Sequence, residues 1–508
     1  MKLNLSLMLG ATLLLSALLS NAQTELNTVR DVRNRIIRNA FMDRREGAIV
    51  KLGDERAAVL VNTGKDDEYA VACVSPDYQF KWQTPITGYP FCIARLGDKI
   101  IVVAATDKSY FKSYNNQYMA FLFDPENGKM LAQKEIYKGS TEFMEYPQFY
   151  TSDTGKFFKF SVRVTAVKRK VHVGLPGLGA LVTMKTLENQ ANTVQRFAIV
   201  TVDEKLNTKT VDPTFPKGIF VKSVSNADGD LFVFTMENKS SFFVSRYVEG
   251  QKEASISFNQ PLGGELKRMM TPETGESQLY LACDDKSPLT VYWTMMVDAG
   301  KGTTMLVSKI NFADGKSSLT SETFSQDKLK ELKKQFKEIN KDVDQIDLGA
   351  SDNMALHSIY VFDDRVLIVS GAEMGSGSFY NYSSEVISSF SKDLKLNYQL
   401  ALPNKFYVKS PMMPYAHAEL NKSGNVIRFI SNVDKGIASM NGIYGEFNSE
   451  NGQMLKLAVL PRGKKIDNAA LVDVHAIIWT EKGYTVPFCE LGGWTGSLKE
   501  VTVKQYTY

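Results

Sequence analysis

Ile93-Ala94-Arg95-Leu96-Gly97-Asp98-Lys99-Ile100-Ile101-Val102-Val103 is two apolar runs rich in β-branched residues, joined at a Gly-Asp-Lys turn. Gly and Asp tolerate the positive φ that a tight hairpin needs, and β-branched side chains favour the extended backbone on either side. The arrangement returns along the chain. Asp153-Thr154-Gly155 precedes Phe157-Phe158-Lys159-Phe160, and Asp228-Gly229-Asp230 precedes Leu231-Phe232-Val233-Phe234. Leu52-Gly53-Asp54, Pro272-Glu273-Thr274-Gly275, Asp363-Asp364, Lys422-Ser423-Gly424 and Glu481-Lys482-Gly483 belong to the same series. A second series alternates with it and includes Ser75-Pro76-Asp77, Asp124-Pro125-Glu126-Asn127-Gly128, Val202-Asp203-Glu204, Ala313-Asp314-Gly315, Ser391-Lys392-Asp393 and Ser449-Glu450-Asn451-Gly452.

Taken in pairs, these turns outline about eight four-stranded units, starting near residues 47, 90, 147, 218, 264, 357, 415 and 469. Four antiparallel strands repeated at this interval predict an all-β fold, a β-propeller of seven or eight blades spanning 47–508. Such a ring buries sheet face against sheet face and leaves only short edges. A pair of sandwiches is the structural alternative. The last unit, Ala476-Ile477-Ile478-Trp479 to Val501-Thr502-Val503, supplies three strands, so a strand from elsewhere could close the ring.

Three segments interrupt the strand pattern. Residues 23–46 predict an N-terminal amphipathic helix, with Leu26, Val29, Val32, Ile36, Ile37, Ala40 and Phe41 on one side and six arginines around the rest. Residues 326–346 predict a helical insertion: Leu329, Leu332, Phe336, Ile339, Val343 and Ile346 recur at helical spacing behind Ser325, a ready N-cap. The glycine-rich stretch 171–182 offers Leu175, Leu178 and Leu181 as partner-binding candidates and lacks the spacing of a phosphate-binding loop. An apolar surface loop marks a contact site or a segment folded back on the core.

Residues 1–22 read as a secretory leader: Lys2, an apolar run to Leu19, then Ser20-Asn21-Ala22 before the cut. The expectation is export, to the periplasm, outer membrane or medium, with no transmembrane segment after cleavage. A formal net charge of +4 over 508 residues does not call for a nucleic-acid partner. Cys73, Cys92, Cys283 and Cys489 each lie in an apolar, strand-like context, compatible with one disulfide or with buried thiols, and no CxxC is present.

No catalytic constellation is legible. The four histidines, His172, His357, His417 and His475, form no HExxH, no i,i+4 pair and no HxH, so neither a metal nor any other cofactor is expected. His357 and His417 sit near the starts of two units, where first strands face a propeller axis, and could meet there; a solitary, hydrogen-bonded histidine is the ordinary outcome. Met374-Gly375-Ser376-Gly377-Ser378 lacks the spacing of a nucleophile elbow and reads as a loop. Phe379, Tyr380 and Tyr382 beside it could stack on a sugar or peptide, or lie on a strand of the sixth unit. Paired aspartates read as turn residues.

Two local resemblances bear on the fold. Thr151-Ser152-Asp153-Thr154-Gly155-Lys156-Phe157-Phe158 resembles the Asp-box hairpin of sialidase-type propellers, a structural staple outside their active site. Neither its repeats nor the arginine triad of those enzymes is present. Phe123-Asp124-Pro125-Glu126-Asn127-Gly128-Lys129-Met130-Leu131 and Phe447-Asn448-Ser449-Glu450-Asn451-Gly452-Gln453-Met454-Leu455 resemble the outer hairpin of quinoprotein-alcohol-dehydrogenase-like propellers, and Asn311-Phe312-Ala313-Asp314-Gly315-Lys316 does so in part. That family contains quinone-dependent dehydrogenases and non-enzymatic outer-membrane scaffolds. The docking tryptophans of the enzymes are not repeated among Trp82, Trp293, Trp479 and Trp494, so the resemblance implies the scaffold branch. The expected function is therefore an exported, non-catalytic propeller that binds a protein or glycan partner. The alternatives are a carbohydrate-active hydrolase or lyase, a quinone-dependent redox enzyme, or a purely structural surface protein.

Overall fold

The computed structural model describes residues 25–31, 35–36 and 49–508, less 63–67, 107–116, 140–143, 166–193, 260–278, 340–345, 410–416, 493–496 and a few shorter turns. Eight antiparallel sheets follow one another along the chain, and each has a core of four strands joined edge to edge. The chain is an eight-bladed β-propeller. Blade two shows the plan: Tyr89–Leu96, Lys99–Ala105, Gln117–Phe123 and Met130–Lys138, in that order across the sheet. First and second strands are almost wholly apolar and buried, whereas the fourth alternates and faces water on one side. First strands of successive blades approach one another, which places them innermost.

The turns do what their composition requires. Gly97, Gly155 and Gly229 take φ of +61°, +76° and +83°, a region open to glycine at little cost. Gly155 also seats blade on blade, because its carbonyl accepts the Gly97 N–H at 2.8 Å. The outer hairpins lock the ring at a larger radius. Trp82, on the fourth strand of blade one (Phe80–Ile86), donates its indole N–H to the Pro125 carbonyl at 3.0 Å. A Cβ on Gly128 would lie 2.3 Å from that indole. Tyr398, on the fourth strand of blade six (Leu396–Leu402), repeats the arrangement on blade seven: its hydroxyl donates to the Ser449 carbonyl at 2.9 Å, and its ring lies 2.5 Å from where a Gly452 Cβ would stand. The two hairpins that resemble quinoprotein propellers thus each receive an aromatic from the fourth strand of the blade before.

The ring closes with a strand from the other end of the chain. Blade eight supplies Leu471–Val472, Gly483–Gly492 and Ser497–Thr507, and Glu25–Asp31 pairs antiparallel with the last of these as the fourth strand. The helix expected over 23–46 is absent from the described residues of that segment, which are strand: Glu25–Asp31 and also Arg35–Ile36, paired with Ala57–Asn62 of blade one. For these described residues an open sheet edge with unpaired N–H and C=O groups outweighs the helical apolar pattern.

The insertion between blades five and six forms the helix Gln326–Ile339. Ser325 Oγ accepts the Lys328 N–H at 3.2 Å, the expected N-cap. Leu329, Leu332 and Phe336 are buried in one cluster with Phe324, Met354 and Ile368. No two of the four cysteines are joined in a disulfide. They lie on strands of blades one, two, five and eight, within separate sheets, so the paired alternative is not realised. Among the described residues no helix is long and apolar enough to cross a membrane.

Candidate functional site

The polar cluster with the most chemistry sits where blade six meets blade seven, and a β-bulge creates it. In the innermost strand of blade six, Met354–Val361, Leu356 pairs with Ser370 and Ser358 with Val369, so His357 is the extra residue. A bulge turns one side chain away from the regular alternation, a device common beside functional sites. Gly371, on the second strand (Arg365–Ser376), makes room for it: a Cβ there would stand 2.8 Å from His357 Cε1. Glu385, on the third strand (Phe379–Ser391), pairs with Gly371 and so faces the same spot. Glu373 follows two residues after Gly371, beyond a second register shift. His417 arrives from blade seven, two residues before its first strand, Glu419–Ser423.

Side-chain exposure is 1% for His357, 0% for Glu385, 6% for His417 and 10% for Glu373. Glu385 Oε1 lies 2.7 Å from His357 Nδ1 and 3.3 Å from His417 Nδ1, and its Oε2 accepts the Ala418 N–H at 3.1 Å. One carboxylate thereby orients both imidazoles and the strand entering blade seven. His357 Nε2 lies 3.1 Å from Glu373 Oε1, close enough for an ion pair but without hydrogen-bond alignment. The imidazole rings are 4.0 Å apart, and Tyr382 meets His417 edge-on at 5.2 Å and 83°. Burial alone would push the His357 imidazole down, but Glu373 and Glu385 hold it up at about 9. With no metal bound, His357 is cationic at neutral pH.

Linear spacing hid this site. His357 and His417 do meet, with two glutamates that carry no local motif, because sheet register and ring closure join residues far apart in sequence. The bulge at His357 is equally silent in the sequence. One usable signal was available: two of only four histidines fall at the starts of consecutive units.

The other expected site residues fare differently. Leu175, Leu178 and Leu181 lie outside the described residues. The loop expected at 374–378 is largely strand: Gly375 pairs with Tyr380 and Ser376 with Phe379, a hairpin extending the sheet. Phe379, Tyr380 and Tyr382 share its third strand, and Phe406–Lys409 pairs along them. Tyr382 is 1% exposed, so it packs beneath the surface against His417 and presents no ring to a partner. The physical reason is the extra strand, which covers an edge that a loop would have left open.

No family profile and no curated protein matches the chain. Solved structures that it resembles include a Mycobacterium tuberculosis puromycin-hydrolysing peptidase, at 10% identity and a TM-score of 0.39, covering 91% of this chain and 62% of that one. The chain thus spans less than two thirds of that peptidase. An oligogalacturonate lyase from Vibrio parahaemolyticus matches at 10% identity and a TM-score of 0.39, covering 96% and 98%. The β-propeller domain of the Trilobed protease from Pyrococcus furiosus matches at 8% identity and 0.37, covering 82% and 93%. At these values the likeness says nothing of chemistry.

Proposed function

We propose that this chain is an exported recognition propeller of the cell envelope, binding a protein or glycan partner through its rims without turning it over. The reading of export rests on the leader-like residues 1–22. Recognition is supported by one contrast in the geometry. The ionisable groups of the blade-six cluster are turned toward one another and buried, whereas the hairpin above them continues outward and carries Met374 at 53% exposure. Methionine is an adaptable contact residue at binding surfaces. The apolar stretch 171–182 is a second contact candidate.

The test compares the full chain with Met374→Asp and with a deletion of 174–181, in affinity capture from envelope extract and on a glycan array. Recovery that drops with an unchanged melting temperature supports rim recognition; recovery unchanged in both variants sinks it. The enzyme reading, a lyase or hydrolase, draws on the convergence of His357, Glu373 and His417. It gains if the purified chain cleaves a polysaccharide and His357→Gln abolishes the cleavage.

A further inference from the structure

We propose that His357, Glu373 and His417 form a site for one first-row divalent cation of the zinc class, with Glu385 holding both imidazoles in place. Two imidazole nitrogens and one carboxylate oxygen, one from each residue, lie within 4.8 Å of one another. Zinc bonds of about 2.1 Å in tetrahedral geometry bring ligand atoms to about 3.4 Å apart, so the set contracts by up to about 1.4 Å on loading, within the reach of side-chain rotation.

The second observation is the role of Glu385. It approaches both histidines at Nδ1, which favours the Nδ1–H tautomer and leaves His357 Nε2 as a donor atom. A carboxylate behind a ligating imidazole is the usual support of a histidine–metal bond. His357 Nε2 fits that role, since it is buried and has no aligned hydrogen bond. The third observation is that the fold does not require polar groups here. At the matching bulge of blade two, Pro90 pairs with Ala104 and Cys92 with Val103, leaving Phe91 as the extra residue. Tyr118, paired with Ala105, stands in the register position of Glu385, paired with Gly371. Phe149, from the first strand of blade three, completes that junction. An apolar triad fills the same architecture, so a buried set of two carboxylates and two imidazoles has a cost that a bound cation removes.

Two nitrogens and one oxygen favour zinc, cobalt or manganese over magnesium, which prefers oxygen and keeps its water. Three protein ligands leave a further coordination position. The inference is independent of partner recognition, because a cation could serve a binding propeller or an enzyme.

The experiment treats the purified full chain with a chelator, then titrates Zn²⁺, Mn²⁺ or Mg²⁺ with calorimetry and elemental analysis after gel filtration. One equivalent of Zn²⁺ retained, with Mg²⁺ bound far more weakly, supports the site. Co²⁺ loading of the unmodified chain should add visible absorption bands of nitrogen–oxygen coordination, a readout that needs no variant. The His357→Gln/His417→Gln double variant should lose the bands and at least about 100-fold in Zn²⁺ affinity, and Glu385→Gln about 10- to 100-fold. No stoichiometric uptake of Zn²⁺ or Co²⁺ by folded wild type, Mg²⁺ binding as tight as Zn²⁺, or unchanged uptake in the double variant would each overturn it.

Discussion

The junction of blades two and three and that of blades six and seven use the same backbone for opposite chemistry. In each, a bulge on the innermost strand frees one residue, a third-strand residue faces it, and a residue from the next blade closes the contact. Blade two places Phe91 against Tyr118 at 5.5 Å and Phe149 at 6.3 Å, rings packed at an angle in a dry cluster. Blade six places His357 against Glu385 at 2.7 Å and His417 at 4.0 Å between ring centroids. The backbone thus sets where three side chains meet, and side-chain identity alone decides whether the meeting point packs or titrates.

The largest effects come from emptying each junction. Phe91→Ala should destabilise by about 3–5 kcal/mol, a transfer loss plus a cavity. Glu385→Ala should cost a similar 3–5 kcal/mol for a different reason, since it strips the partner from two buried imidazoles. The comparison is sharpened by exchange: His357→Phe/Glu373→Leu/Glu385→Tyr/His417→Phe should be as stable to urea as wild type, or more stable by about 1–4 kcal/mol. A much less stable product would break the equivalence of the two junctions.

A smaller effect is expected at Gly371, where Gly371→Ala sets a methyl against the His357 ring and should cost roughly 1–3 kcal/mol in urea unfolding, while Ala105, its counterpart in blade two, already carries that methyl. Tyr398→Phe removes one hydrogen bond to the blade-seven hairpin and should cost about 0.5–1.5 kcal/mol. The smallest effect lies at the far end of the six–seven junction. Arg365, beside Asp364, and Lys422, reaching across from blade seven, hold the Asp364 carboxyl down at about 2. A depressed carboxylate adds stability above its unfolded value near ~4, and that contribution is lost as pH falls toward 2. Asp364 is 45% exposed, so solvent screening limits the effect to about 1 kcal/mol or less. Asp364→Asn should flatten the acid limb of a melting-temperature profile between pH 4 and 2, relative to wild type.

The ring was readable because its signals are local. Each Gly-Asp or Asn-Gly turn states where a hairpin reverses, and about eight unit starts spaced along the chain imply a ring of seven or eight sheets. The Ser325 cap was readable for the same reason, since donor and acceptor are three residues apart. The junctions were not. His357 owes its position to one unpaired residue in a ladder, Glu385 to its register against Gly371, and His417 to the docking of the next blade. Each depends on pairing partners remote in sequence. The 23–46 segment shows the same limit: its apolar spacing suits a helix, whereas its described residues Glu25–Asp31 pair with a strand edge nearly five hundred residues away, at Ser497–Thr507.

That last pairing has a consequence for how the molecule comes into being. Because Glu25–Asp31 completes blade eight, it has to wait for Ser497–Thr507, which is synthesised only after the other blades, and the loop the pair closes spans the whole ring. The entropic penalty for such a long loop grows only logarithmically, so the latch holds once made, but the search for it is slow. Until it snaps shut, blade eight has a naked margin, and the half-made ring is most exposed to mispairing with a neighbour there.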